Sequence, residues 1–161
     1  MRRAILLLFV VAAPLYAEVE LFDTVEGHAC FRELLHKSGW GLAGPAERAA
    51  FVVEQSDGSI QCQEWPAMNI YHGDLFHGVP PQNTIAIVHT HPAAYPLPSE
   101  HDNDEATRLG LPIYTVTIRA VYKSLPGDPK FHALTVKQSW IRQTPSTSIA
   151  SAKRAAAGAS R

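Results

Sequence analysis

Two histidines separated by one residue, His89 and His91, end the apolar run Thr84-Ile85-Ala86-Ile87-Val88. The run is partly β-branched and of strand type. If the strand continues through His91, alternation puts both imidazoles on one face, with Cβ atoms roughly 7 Å apart. Two imidazoles at that spacing can converge on one ion, while Thr90 points the other way. Pro92 has no N–H to donate and ends the ladder, and Pro96 and Pro98 stiffen the loop that follows. Ser99 then reads as a helix N-cap with Asp102 three residues later, in the first turn. That turn swings Asp102 back over the strand end as a third ligand. Two histidines and one carboxylate leave the fourth position of a tetrahedral zinc open, as in catalytic rather than structural sites. One zinc per chain is the expected cofactor.

Several elements must hold these residues in place. Residues 47–54 read as a strand, Asp57-Gly58 as a turn, and residues 59–65 as an alternating strand with Ile60 and Cys62 on one face. Residues 68–71 suggest a further short strand, and residues 72–81 a loop. The loop residues His72, Asp74 and His77 are weaker metal candidates, because a Gly/Pro loop fixes no geometry. Residues 99–109 form the second half of the site as a helix, acidic in its first turn and closed by Gly110. Strand-like segments follow at 112–118, 120–122 and 131–136, with a turn at Pro126-Gly127-Asp128-Pro129. Upstream, Asp23 and Glu26 read as a capping box for a helix whose apolar stripe is Cys30, Phe31, Leu34 and Leu35. Ser38-Gly39 stops it, and His28 and His36 lie off the stripe, where solvent is expected.

The pattern His89-x-His91-Pro92, six residues, Ser99, two residues, Asp102 resembles the JAMM motif of the MPN+ metallopeptidases. The likeness covers residues 45–135. The family also carries a glutamate on an earlier strand, and Glu47-Arg48-Ala49-Ala50-Phe51-Val52-Val53 resembles that segment, with Ala50 where the family usually has Gly. The resemblance implies an α/β fold, a curved and mainly antiparallel β-sheet flanked by helices, of cytidine-deaminase-like architecture. It implies zinc held by His89, His91 and Asp102, with Glu47 as general base and Ser99 as the oxyanion donor. His101 is left beside the ligand set or facing solvent. Glu54 competes with Glu47 for the role of base. The two are seven apart and face opposite sides of a regular strand, and Glu54 abuts the hairpin tip. The reaction implied is hydrolysis of an amide, peptide or isopeptide bond. Two other classes stay open: a non-catalytic MPN-like binding module, and an exported metal-binding protein using its eight histidines.

Length and composition fit one domain. A chain of 161 residues is ample for one core, and the net charge of −1 offers nothing for nucleic acid. Residues 1–17 read as a signal peptide, with Arg2 and Arg3 ahead of an apolar stretch from Ala4 to Ala13 and a cleavage site after Ala17. An exported protein, periplasmic or secreted, is expected, without stable membrane insertion once the signal is cleaved. Residues 18–140 then make the metallopeptidase-like domain. From Pro145 onward the chain is Ser, Ala, Thr and basic residues with few large apolar groups, so residues 141–161 are expected to be disordered, with a frayed Ala-rich helix as the alternative. Cys30 and Cys62 both fall on inward faces, and export permits a disulfide between them; two buried thiols are the alternative. A peptide or amide substrate is the expected partner, and the oligomeric state is not legible.

Overall fold

The computed structural model describes residues 20–39, 45–65, 78–92 and 97–159. Helix α1 (Val25–Lys37) comes first, followed by strands β1 (Ala49–Glu54), β2 (Ile60–Glu64) and β3 (Thr84–Thr90). Helix α2 (Glu100–Leu109) then leads into β4 (Ile113–Val116), β5 (Val121–Ser124) and β6 (Phe131–Thr135), and α3 (Ile149–Ala159) ends the chain. The strands form a single six-stranded sheet in the order β2-β1-β3-β4-β5-β6. Every pairing is antiparallel except β3 with β4. Parallel neighbours need a crossover, and α2 is that crossover. The α/β class and the mainly antiparallel sheet are as expected. The short strand expected at 68–71, the signal peptide, and His72, Asp74 and His77 lie outside the described residues.

Period-two alternation divides the core in two. Ala50, Val52, Ala86, Val88, Tyr114, Val116 and Val121 point to the face covered by Phe31, Leu34 and Leu35 of α1, with Trp140 and Ile149. Phe51, Val53, Ile87 and Ile113 point to the other face and pack against Ala106 of α2, with Trp65, Leu109 and Leu111 alongside. The stripe on α1 is buried as its spacing requires. Its Cys30 forms a disulfide with Cys62 of edge strand β2, with the Cα atoms 5.7 Å apart. Lys37 adds ion pairs to Glu33 and Glu64, both at 2.8 Å, so α1 is fastened to the sheet edge at two levels.

The start of α1 departs from expectation. The N-cap is Thr24, whose hydroxyl accepts from the Gly27 N–H at 3.1 Å, and not Asp23. Asp23 is consumed in a short 3-10 turn, Leu21–Asp23, that delivers the chain to Thr24. Gly27 lets this turn sit flat on the helix, since a Cβ there would lie 2.0 Å from the Leu21 carbonyl oxygen. Glu26 does not close a box on Asp23; it reaches the Ile149 N–H at the start of α3, at 3.2 Å. His28 is also not solvated. It is 1 % exposed, packed on Phe22 with ring centroids 4.7 Å apart and edge-on to Trp140 at 5.9 Å. The residues that bury it come from opposite ends of the chain, which helical periodicity cannot register. His36 is exposed.

The disorder expected at 141–161 is corrected in the same way as far as residue 159. A 3-10 turn, Gln138–Arg142, buries Trp140, whose indole N–H donates to the Thr117 carbonyl at 3.1 Å. Further on, the Val25 N–H donates to Thr147 O at 3.0 Å. Ile149 is buried and Lys153 pairs with Glu54. Two large apolar anchors and the open backbone at the start of α1 suffice to order a composition that looks too polar to fold.

Candidate metal centre

The site is built at the carboxyl end of β3. Strand β3 is paired on both sides here, with His89 opposite Ala49 on β1 and beside Thr115 on β4. Past the strand's last residue the ladder continues for one more step, with the His91 N–H donating to Val116 O at 2.9 Å. His91 therefore stays extended and shares a face with His89, and the rings stack with centroids 4.9 Å apart and planes 28° apart. Thr90 points to the opposite face and is fully buried. Its Oγ1 accepts from the Arg48 N–H at 2.9 Å, and its own N–H donates to Arg48 O at 2.9 Å. These two hydrogen bonds clamp the approach to β1 against the end of β3. Glu47, the next residue back, is thereby carried beside His91, with Oε1 3.8 Å from Nε2.

The third element is α2. Its last turn closes on Gly110, in the left-handed conformation at φ 65°. Its first turn is fixed by Asp102, whose Oδ2 accepts from the Ser99 N–H at 2.6 Å and the Ser99 hydroxyl at 3.0 Å. The other oxygen, Oδ1, lies 3.2 Å from His89 Nε2. One carboxylate thus caps the helix with one oxygen and faces the histidines with the other. Ligand atoms of His89, His91 and Asp102 all lie within 4.8 Å of one another. All three side chains are largely buried, and Glu47 is rather more open.

The residues expected to converge do so: His89, His91 and Asp102 form one cluster that could hold a metal ion, and Glu47 stands against it. Ser99 touches the cluster through Asp102. His101 is exposed on α2. Glu54 points to the opposite face and pairs with Lys153, as the seven-residue offset from Glu47 requires. Sequence reasoning passed over Thr115, whose Oγ1 is 3.0 Å from His89 Nε2. Its signal was faint: one hydroxyl in an otherwise apolar and aromatic strand, placed beside His89 only by the parallel register.

A mainly antiparallel α/β sheet with a two-histidine, one-carboxylate cluster at a strand end defines the class, and the comparison with protein families agrees. The family described as prokaryotic homologs of the JAB domain matches residues 42–135. The chain belongs to that family, of JAMM/MPN kind, as the His-x-His-Pro motif implied. No match is found among curated proteins or among solved structures.

Proposed function

We propose that this protein is an exported zinc-dependent hydrolase of an amide, peptide or isopeptide bond. The observation that supports it best is the convergence of His89, His91 and Asp102 with the Glu47 carboxylate at their side. The donor set suits zinc: ligands at 2.0–2.2 Å in a tetrahedron stand about 3.3 Å apart, and the 3.2 Å between His89 Nε2 and Asp102 Oδ1 is such an edge. When bound, zinc polarises the scissile carbonyl and makes hydroxide available near neutral pH.

The chain's own groups do the rest. Glu47 takes the proton of the attacking water and passes it to the leaving amine. Ser99 stabilises the oxyanion by turning its hydroxyl from Asp102 Oδ2 towards the substrate oxygen. The Ser99 N–H, at 2.6 Å, keeps Asp102 in place during that turn. A short peptide or a cell-envelope amide is the favoured substrate class. Export is inferred from residues 1–17, and sequencing protein from the native host should return an N-terminus near Glu18; Met1 would contradict it.

The test is metal stoichiometry of the purified mature protein, with a peptide-library cleavage assay on the same sample. One equivalent of zinc, lost on chelation together with cleavage, is expected. His91→Ala should abolish both, and one full equivalent retained by that variant would sink the assignment. Stoichiometric zinc with no cleavage would favour a binding module instead.

A further inference from the structure

The turn that joins β4 to β5 stands beside the ligand cluster. The His91 N–H donates to Val116 O at 2.9 Å, so Thr117 continues β4 alongside His91. Neighbouring strands are about 4.8 Å apart and two residues of chain span at most about 7 Å, so the Arg119 backbone lies within about 12 Å of that of His91. The turn that carries Arg119 is tightly built. The Thr117 hydroxyl accepts from the Arg119 N–H at 3.1 Å and the Ala120 N–H at 2.8 Å, and it donates to Ala120 O at 3.0 Å. The Trp140 indole N–H holds the Thr117 carbonyl at 3.1 Å. On this fixed base Arg119 is exposed.

Other cations of the fold have carboxylate partners: Arg108 has Glu105, Lys123 has Glu20 and Lys153 has Glu54. Arg119 has none among the described residues. Lys137, exposed and likewise without a carboxylate partner among the described residues, joins it. It follows Thr135 by two residues, and Thr135 pairs with Val121, which follows Arg119 by two. Both cations therefore leave the same end of the sheet on adjacent strands, and Val121 pairs with Val116 at the carboxyl end of β4, where the cluster sits. Two unpaired cations on one rim raise the local concentration of anions. A guanidinium on a fixed backbone suits bidentate recognition of a carboxylate. An extended peptide advances about 3.3 Å per residue, so a carboxylate at this range sits within about four residues of the bond being cut. We propose that Arg119 is a specificity residue that holds a carboxylate of the substrate, assisted by Lys137, and that the preferred substrate is an acidic peptide. This rests on the reading of His89, His91 and Asp102 as the centre of a hydrolase.

Peptides cleaved by the mature protein are remade in matched pairs, Glu against Gln, at each of four positions on either side of the scissile bond. At one position Glu should raise kcat/KM roughly tenfold, the worth of a charge-assisted hydrogen bond, and mainly through KM. Arg119→Ala should bring that ratio close to one and Arg119→Glu should invert it, with zinc content unchanged in both. Lys137→Ala should lower the ratio in the same direction. Lys130→Ala removes an exposed cation from the turn at the far end of β5 and β6, and should leave the ratio as in wild type. No preference for Glu in the wild type, or a preference that survives Arg119→Ala, would overturn the proposal. If no library peptide is cleaved, the hydrolase reading fails, and the proposal is then decided by fluorescence anisotropy of labelled Glu-rich and Gln-rich octapeptides on the zinc-treated protein. Tighter binding of the Glu-rich peptide, lost in Arg119→Ala, upholds carboxylate recognition; equal binding, or none, overturns it.

Discussion

Replacing Glu47 by Gln isolates the general base from the ligand set. The amide has nearly the shape of the carboxylate, can still contact His91, and removes none of the three ligand candidates. Zinc content should therefore hold at one equivalent while turnover collapses. General acid–base catalysis is worth about 10²–10⁴-fold, so a loss of at least a hundredfold in kcat/KM is expected, about 2.7 kcal/mol of transition-state stabilisation. Glu54→Gln is the control. Glu54 ends the strand that Glu47 precedes and lies on the opposite face, paired with Lys153, where the two side chains are 31 % and 39 % exposed. A partly exposed pair contributes about 0–1 kcal/mol, so this variant should melt slightly earlier and turn over normally. The assay is steady-state cleavage of the best library peptide, with metal analysis of each variant. If Glu54→Gln is dead and Glu47→Gln is normal, the strand register and the clamp at Arg48 have been misread. Loss of zinc in Glu47→Gln would make Glu47 a ligand rather than the base.

Two further outcomes concern stability. Replacing Cys30 and Cys62 by Ala opens a loop with a sequence separation of 32; urea unfolding should show a loss of about 3–4 kcal/mol, and equal midpoints with and without reductant in the wild type would count against the bridge. Burial, and then the Arg32 guanidinium, hold His28 below its ordinary pKa, against the opposing pull of the Gln143 and Phe22 carbonyls and Asp23. The unfolded chain then binds the proton more readily. The stability His28 contributes is fully present above about pH 6.5 and is lost as pH falls towards its folded pKa. His28→Gln should flatten that part of the melting-temperature profile between pH 7.5 and 5, and parallel profiles for the two proteins would refute it.

The legible part of the site was local. His89, His91, Ser99 and Asp102 lie on one strand end and one helix start, so strand period and capping chemistry sufficed to bring them together. Glu47 was legible only through family resemblance, because its place depends on Thr90 gripping Arg48 across 42 residues of sequence. Thr115 depends on strand register, 26 residues from His89. The misreadings at Asp23, at His28 and from residue 141 onward share one cause. Each concerns the meeting of the two chain ends, where Glu26 finds Ile149 and Trp140 finds His28. Composition reports how much a segment can bury, but not which remote surface awaits it.

The sheet's two faces carry different duties, and β3 joins them. Val88 and Thr90 are sealed into one face, under α1 and the C-terminal turn, while Ile87 and His89 face α2 and the ligand cluster. The family match spans residues 42–135, so α1 and the segment bearing Trp140 and Ile149 lie outside it, yet they cover the face opposite the site. Because β3 is paired with both β1 and β4, His89 has little freedom to shift unless one of them shifts with it. Damage to the covering face, such as loss of the Trp140 anchor, is felt by the His89, His91 and Asp102 cluster through the sheet that lies between them. Damage on the site face, at Asp102, disturbs the His89, His91 and Asp102 cluster within a sheet whose opposite face stays covered. The chain thus separates the covered face that keeps it folded from the face that carries the candidate site, although both are read from alternate residues of the same strand.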